Sequence, residues 1–497
     1  MKRFMKVATL VSILLALAAT LFAPSSFAQG ARDASNVEKE KQVSPGPVVQ
    51  PTDAPGAIWK LQPNPMPPVE TIVARPPEDR PVYGLYGWGG EYERYRKSIR
   101  EVGYRSYRMS GPFDDKRMTM LVEDDMETMV TLGFFLVTPE GRTRKNRSHF
   151  DSDEAFIAGY VQYAEDFLTR YGPKGAFFSD NPKLPHRPIQ YVEILNEPNF
   201  HYMLPDKEGV SKAHTLAHRK RLYAKILPAT YEAIKAKWPS VTVVGFSVAA
   251  GGRSDVPFVA DTHKLNPALG ASYDVLSIHP YSKPAPPEAF LIKKWGGWAN
   301  IDCLNEIRKI MAASGAKDKA IWYTEVGWPI PPADGGHFKP PRAKGPFTPI
   351  QLQAAYIVRL YALSVRLGVG RVHIMHANDT DRFNGGVFIR GTGAWRPAAF
   401  ATQTMIEAMP HPKLLGAIHD GADGLYAYRF DSDATDKDTT PVVMAWKVLG
   451  PKTIELPISG KNATALGMLG RRTPLNVVDE KVNVEIGPCP IYIVTAP

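Results

Sequence analysis

From Val82 to Met375 the chain alternates between short apolar runs and longer amphipathic stretches. That alternation limits the fold more than any other feature, because it is the pattern of parallel strands joined by helices. The apolar runs are Val82–Tyr86, Tyr104–Met109, one within Thr128–Thr138, Gln190–Leu195, Val241–Phe246, Asp274–His279, Ala320–Val326 and Val372–Met375. Helical periodicity covers Glu91–Val102, Ala155–Tyr171, Ala217–Trp238, Leu304–Ser314 and Leu352–Leu367. In Ala155–Tyr171, for example, Phe156, Tyr160, Tyr163, Ala164 and Phe167 share one face. Eight strands with intervening helices predict an α/β fold, a (β/α)8 TIM barrel over residues 82–409.

The 497 residues leave room for more than a barrel. After Met409 six short strand-like runs follow: Leu425–Phe430, Val442–Lys447, Thr453–Ile458, Ala465–Leu469, Val482–Ile486 and Ile491–Val494, separated by turns such as Asp431-Ser432-Asp433. They predict a small C-terminal antiparallel module, β-sandwich-like, over 410–497. At the other end Lys2, Arg3 and Lys6 precede an apolar run from Val7 to Phe22, and Ser26-Phe27-Ala28 supplies small residues at a cleavage position. This is the pattern of a secretory signal over 1–28, which predicts a secreted or periplasmic protein with no integral membrane segment after cleavage. Residues 29–81 are rich in proline and charge and predict a linker or extended arm, with Trp59 and Leu61 as anchors onto the folded body.

The formal charge of +10 falls to +7 when Lys2, Arg3 and Lys6 are removed. A basic protein favours acidic polymers or an anionic envelope, or simply carries a solvated basic surface. No compact Lys/Arg cluster accompanies a reader motif, which argues against a nucleic-acid partner. Cys303 and Cys489 are the only cysteines, and nothing in their spacing brings them together. No His-Glu-x-x-His spacing, Gly-x-Ser-x-Gly elbow or phosphate-binding glycine loop occurs, so no metal and no cofactor is expected.

The chemistry concentrates where two strands end. Gln190–Leu195 runs into Asn196-Glu197-Pro198-Asn199, and proline cannot continue a central strand, so the strand stops at the carboxylate. Ile321–Trp328 repeats the design with Glu325 near its end. Glu325 follows Glu197 by 128 positions, three βα units on, which assigns the pair to strands four and seven at one rim. Two carboxyl groups at one mouth can protonate a leaving oxygen and attack an anomeric carbon, so the expected reaction is hydrolysis of a glycosidic bond. Glu197 is the candidate acid/base, its pKa expected to rise beside the charge of Glu325; Glu325 is the candidate nucleophile. Asn196 can offer its amide to a sugar hydroxyl. Glu193 points the same way as Glu197 and reads as a buried barrel group.

Three motifs carry a resemblance: Glu193-Ile194-Leu195-Asn196-Glu197-Pro198-Asn199, Asp274 to Tyr281 ending Ser277-Ile278-His279-Pro280-Tyr281, and Thr324-Glu325-Val326-Gly327-Trp328. They resemble the strand-four, strand-six and strand-seven motifs of clan A glycoside hydrolases, family 39 in particular. The ending Gly487 to Ile493 is similar to the last strand of the β module in such enzymes. The resemblance spans Val82 to Pro497 and is specific only at those motifs. It implies a retaining mechanism on a polysaccharide or oligosaccharide, with Asn196, His279 and Tyr281 touching the sugar or the nucleophile. A non-catalytic envelope carbohydrate-binding protein and a transglycosylase are the rival readings. One departure stands out: where the clan often has a strand-eight tryptophan, this chain reads His373-Ile374-Met375-His376-Ala377-Asn378-Asp379. His376 or Asn378 replaces the platform, or Trp395 stacks on the sugar, or Trp395 only packs between barrel and module. Arg108, at the end of strand two, could hold Glu325 ionised or form a structural ion pair. Trp88, after strand one, and Trp328 complete the candidate substrate contacts.

Overall fold

A computed structural model describes residues 59–61, 82–133, 136–137, 144–145, 147–200, 202–205, 208–249, 255–291, 300–331, 347–381, 383–433 and 440–496. The expected signal over 1–28 and most of the proline-rich arm lie outside these residues. Within the arm, Trp59–Leu61 is a short strand paired antiparallel with Ala289–Leu291.

Eight parallel strands close into a barrel: β1 (Tyr83–Trp88), β2 (Ser106–Ser110), β3 (Glu127–Leu132), β4 (Tyr191–Ile194), β5 (Thr242–Ala249), β6 (Val275–His279), β7 (Ala320–Val326) and β8 (Val372–Met375). Neighbours follow chain order, and β8 pairs β1 to complete the ring. Each strand is followed by a helix: α1 (Gly89–Val102), α2 (Asp115–Glu123), α3 (Asp153–Tyr171), α4 (Lys212–Lys237), α5 (Asp255–Leu265), α6 (Asn300–Ala313), α7 (Ile350–Arg366) and α8 (Pro397–Ala408). This is the TIM barrel that the alternation predicts.

Three of these helices, α2, α5 and α8, are invisible to a periodicity reading. They are short, from 9 to 12 residues, and the starts of α2 and α8 are marked by local chemistry. The Asp114 side chain caps α2 by accepting from the Arg117 N–H, and Pro397 occupies the first turn of α8. Strand β2 begins two residues later than expected, because Gly103, at φ 99°, ends α1 in a left-handed turn that takes up Tyr104 and Arg105. The third apolar run divides into β3 and a separate small hairpin, Leu136–Val137 with Arg144–Lys145.

The C-terminal part holds nine strands: β9 (Lys413–Asp420), β10 (Leu425–Asp431), β11 (Pro441–Lys447), β12 (Lys452–Pro457), β13 (Asn462–Gly467), β14 (Arg472–Leu475), β15 (Val477–Val478), β16 (Lys481–Ile486) and β17 (Ile491–Ala496). They form a six-stranded sheet in the order β9-β10-β11-β17-β13-β14 and a three-stranded sheet β12-β16-β15. Leu425, Val443, Ile493, Leu456 and Val484 pack between the two sheets as a small core. The module is tied to the barrel through buried polar groups. Arg359 of α7 and Glu288 are both fully buried and form an ion pair; Glu288 also accepts from Trp446 Nε1 at 2.9 Å, and Arg359 donates to the Pro488 carbonyl at 3.1 Å. Cys303 and Cys489 are both free.

Candidate active site

Glu197 reaches the barrel mouth through an irregular backbone. β4 ends at Ile194, and both Leu195 and Glu197 adopt left-handed conformations, φ 65° and 49°. Side chains disfavour that region, so neighbours must hold it. Leu195 N–H donates to the Leu132 carbonyl at 3.0 Å and Glu197 N–H to the Ser247 carbonyl at 2.9 Å. Ser247 in turn sits in a bulge of β5, where Phe246 and Ser247 also have positive φ and the register with β6 slips. Asn199 ties the loop down by donating to the Ala249 carbonyl at 2.6 Å.

Glu325 comes from the last turn of β7 and keeps 7 % of its surface exposed. Each oxygen has a donor: Tyr281 Oη donates to Oε1 at 2.6 Å and Arg108 Nη1 to Oε2 at 3.0 Å. Arg108, fully buried on β2, spends its other nitrogens on Glu193 (2.6 and 2.8 Å) and Asn196 Oδ1 (2.6 Å), and lies 4.4 Å over the Tyr86 ring. It is therefore both the partner of Glu325 and one half of a structural pair with Glu193. Glu193 is the buried barrel group that its position predicts, and accepts from Thr131 and Ser277 as well. Asn196 spends its carbonyl on Arg108, leaving its amide for a ligand. His279 Nδ1 stands 3.1 Å from Glu197 Oε1, with Thr324 and Ser247 hydroxyls at 3.0 and 3.3 Å from Nε2. One oxygen of Glu197, one of Glu325 and a ring nitrogen of His279 all lie within 4.8 Å of each other.

The two carboxyls sit in different electrostatic surroundings. Glu197 is pushed up to about 7, mainly by burial; Glu193 adds to the rise while Arg108 and Lys283 oppose it. The direction matches the sequence expectation, but burial drives it where the charge of Glu325 was expected to. Burial pushes His279 down to about 4, so its imidazole is neutral at pH 7. Burial acts to raise Glu193, yet the charge of Arg108 outweighs it and the carboxyl lies below its usual range. The triad of Glu197, His279 and Glu325 has the donor types to hold a metal, but Arg108 and Lys283 already supply cationic charge to the same carboxylates. The arrangement suits acid–base and nucleophilic chemistry better than cation binding.

The outer candidates separate. Trp88 is 42 % exposed at the end of β1, at the rim. Trp328 is only 1 % exposed; its Nε1 donates to the Ala285 carbonyl and its ring packs edge-on against Tyr356, so it supports the β6 loop and offers no face to a ligand. His376 is equally buried, with Nδ1 2.9 Å from Glu91 and its ring against Tyr86, which leaves no strand-eight platform at that position. Trp395 packs on Phe400 of α8. Lys283 was not legible in the sequence. It follows Tyr281 by two in the loop after β6, its ammonium 4.9 Å from the Tyr281 ring and 5.6 Å from that of Phe383. Burial lowers its pKa, while Glu325 and Glu197 oppose the shift. Only loop geometry brings it there, and no residue pattern announces that.

No protein-family model and no curated protein matches the chain. Solved structures do. A family 39 glycoside hydrolase from the gut symbiont Bacteroides cellulosilyticus WH2 aligns at TM-score 0.59 and 19 % identity, over 84 % of this chain and 81 % of that one. A GH51 α-L-arabinofuranosidase from Thermotoga petrophila RKU-1 aligns at TM-score 0.56 and 11 % identity, over 85 % and 98 %. A monomeric β-xylosidase from Caulobacter crescentus CB15 aligns at TM-score 0.52 and 15 % identity, over 86 % and 98 %. The chain shares their fold. At these identities the likeness concerns the path of the backbone, and the chemistry has to be argued from the side chains at the barrel mouth.

Proposed function

We propose that this protein is a retaining glycoside hydrolase acting on a polysaccharide or oligosaccharide. The observation that carries the reading is the convergence of Glu197 and Glu325 from β4 and β7, with an oxygen of one within 4.8 Å of an oxygen of the other. Retaining enzymes hold their carboxyls about 5–5.5 Å apart, and inverting ones hold theirs about 6.5–9.5 Å apart to admit a water. The surroundings supply the division of labour. Glu197, pushed up to about 7 by burial, keeps a proton to give; Glu325, with a donor on each oxygen, has the partners of a carboxylate. In the first step a Glu325 oxygen bonds to the anomeric carbon while the bond to the leaving sugar breaks and the Glu197 proton passes to its oxygen. In the second, water bonds to the anomeric carbon, its proton goes to Glu197, and the ester to Glu325 breaks.

The apolar stretch from Val7 to Phe22 behind Lys2, Arg3 and Lys6 supports a secreted or periplasmic location. Among the described residues no helix is long and apolar enough to cross a membrane. A 2-fluoro glycosyl fluoride of the preferred sugar, found from a panel of aryl glycosides, should leave its mass on the peptide that carries Glu325. Label on another peptide removes the nucleophile assignment. Glu197→Ala should slow substrates with poor leaving groups far more than those with good ones; equal slowing contradicts the acid role.

A further inference from the structure

At the rim where the barrel strands end, a hollow of about 330 Å³ lies between the start of α1 and the segment after β8. Trp88, Glu91, Arg94, Asn378, Asp381 and Arg390 are among the residues that line it. Trp88 follows Tyr86 by two residues on β1, so its ring projects on the same side, one layer further out. Its edge rests on Gly111, where a Cβ would meet Trp88 Cε3 at 2.7 Å. Glycine at 111 thus lets the benzo edge of the indole approach the end of β2, and 42 % of Trp88 remains exposed. An exposed, backed aromatic face at a polar rim is a stacking platform.

A chain of buried side chains in contact connects the lining of the hollow to the chemistry. Glu91 is 2.9 Å from His376, whose ring packs 4.8 Å from Tyr86, which faces Arg108 at 4.4 Å, the residue that holds Glu325. Counted with Arg396 behind it, the charges of the hollow balance: Asp381 pairs with Arg390 and Asp379 with Arg396, and the one remaining carboxylate, Glu91, is offset in number, without contact, by Arg94. Arg94 makes no hydrogen bond or ion pair among the described residues, so its donors are available. A site with no net charge, one aromatic face and both donors and acceptors fits an uncharged pyranose, whose apolar face stacks while its hydroxyls bridge the polar groups.

Its position says which part of the substrate it holds. Glu197 protonates the leaving oxygen from β4, so the leaving sugar departs on that side. β8 stands diametrically across the ring from β4, and β1 across from β5. Resting on the glycosidase reading above, we propose that this hollow binds a second neutral sugar unit on the retained side of the scissile bond, so that the enzyme holds two or more glycone units and cuts inside a chain rather than removing single terminal sugars.

The test compares 4-nitrophenyl β-glucoside with β-cellobioside, and β-xyloside with β-xylobioside, alongside labelling by the matching 2-fluoro mono- and disaccharide fluorides. The disaccharide glycoside of one pair should exceed its monosaccharide partner in kcat/KM by about tenfold or more, since remote binding raises the rate at the reacting centre. In Trp88→Ala that ratio should fall towards one, and Arg94→Gln should lower it in part. Thermal melts establish that both variants fold. A ratio near one in the wild-type protein, or a ratio that Trp88→Ala leaves intact, overturns the second site while Glu325 still takes the label. Absence of label from every fluoride overturns the glycosidase reading itself, and this proposal with it.

Discussion

If burial holds Glu197 protonated, the protein carries a cost at its proposed acid/base residue, and removing the ionisable group should stabilise it. The carboxyl moves from 4.5 to about 7, some 2.5 units, and each unit is worth about 1.4 kcal/mol, so the penalty is of the order of 3 kcal/mol. The sign follows from proton counting. Below about pH 4.5 the folded and unfolded chains are both protonated at this site and no penalty exists. Between 4.5 and 7 the unfolded chain releases the proton while the folded one keeps it, so stability falls as pH rises, and above about 7 the full penalty persists. Glu197→Gln keeps an amide beside His279 and cannot ionise. At pH 8 it should melt above the wild-type protein, by about 3 °C at the usual entropy of about 2.1 cal/mol/K per residue for a body of this size. At pH 4 the two should melt together. The assay is differential scanning calorimetry at both pH values. A glutamine variant that melts at or below wild type at pH 8, or by the same margin at pH 4, refutes burial as the cause of the raised pKa. The same shift places the alkaline limb of wild-type kcat/KM near pH 7, with activity falling about tenfold per unit above it.

Arg108→Met should destabilise by about 3–5 kcal/mol, because it leaves the buried charge of Glu193 without its cation, with only the Thr131 and Ser277 hydroxyls on it; adding Glu193→Gln should recover much of that in urea unfolding, and purely additive losses would show that the pair is not coupled. Tyr281→Phe removes one hydrogen bond to a carboxylate, worth about 1.5–3 kcal/mol, and should lower kcat/KM by roughly 10- to 100-fold. Unchanged kinetics would mean that Tyr281 does not support Glu325 in the reaction.

The barrel was legible because its signal is repeated eight times, so that one misplaced boundary, such as Tyr104 for Ser106, leaves the topology intact. The helices that escaped, α2, α5 and α8, are those whose formation depends on a cap or a packing face more than on a long periodic run. The strand β9 escaped because every second residue of Lys413–Asp420 is only half-buried and the run has little β-branched character. At the site, Glu325, His279 and Arg108 could be named because they lie on strands, where chain position dictates direction, and Glu197 and Tyr281 because they belong to the motifs that follow β4 and β6. Trp328 and His376 sit two and one residues past strand ends, yet they are buried; beyond a strand, loop packing decides which way a ring turns.

The amino-acid order by itself determined the strand count, the placement of two carboxylates three βα units apart and the inward direction of Glu193 on β4, since these follow from local periodicity. Only the tertiary structure decided the surroundings of each carboxyl. The burial that keeps a proton on Glu197, the single guanidinium of Arg108 shared by Glu193 and Glu325, the arrival of Lys283 beside them and the glycine at the edge of Trp88 all depend on segments far apart in the chain meeting at one mouth. Desolvation and Coulomb interactions depend on distance in space, and those distances exist only once the ring has closed.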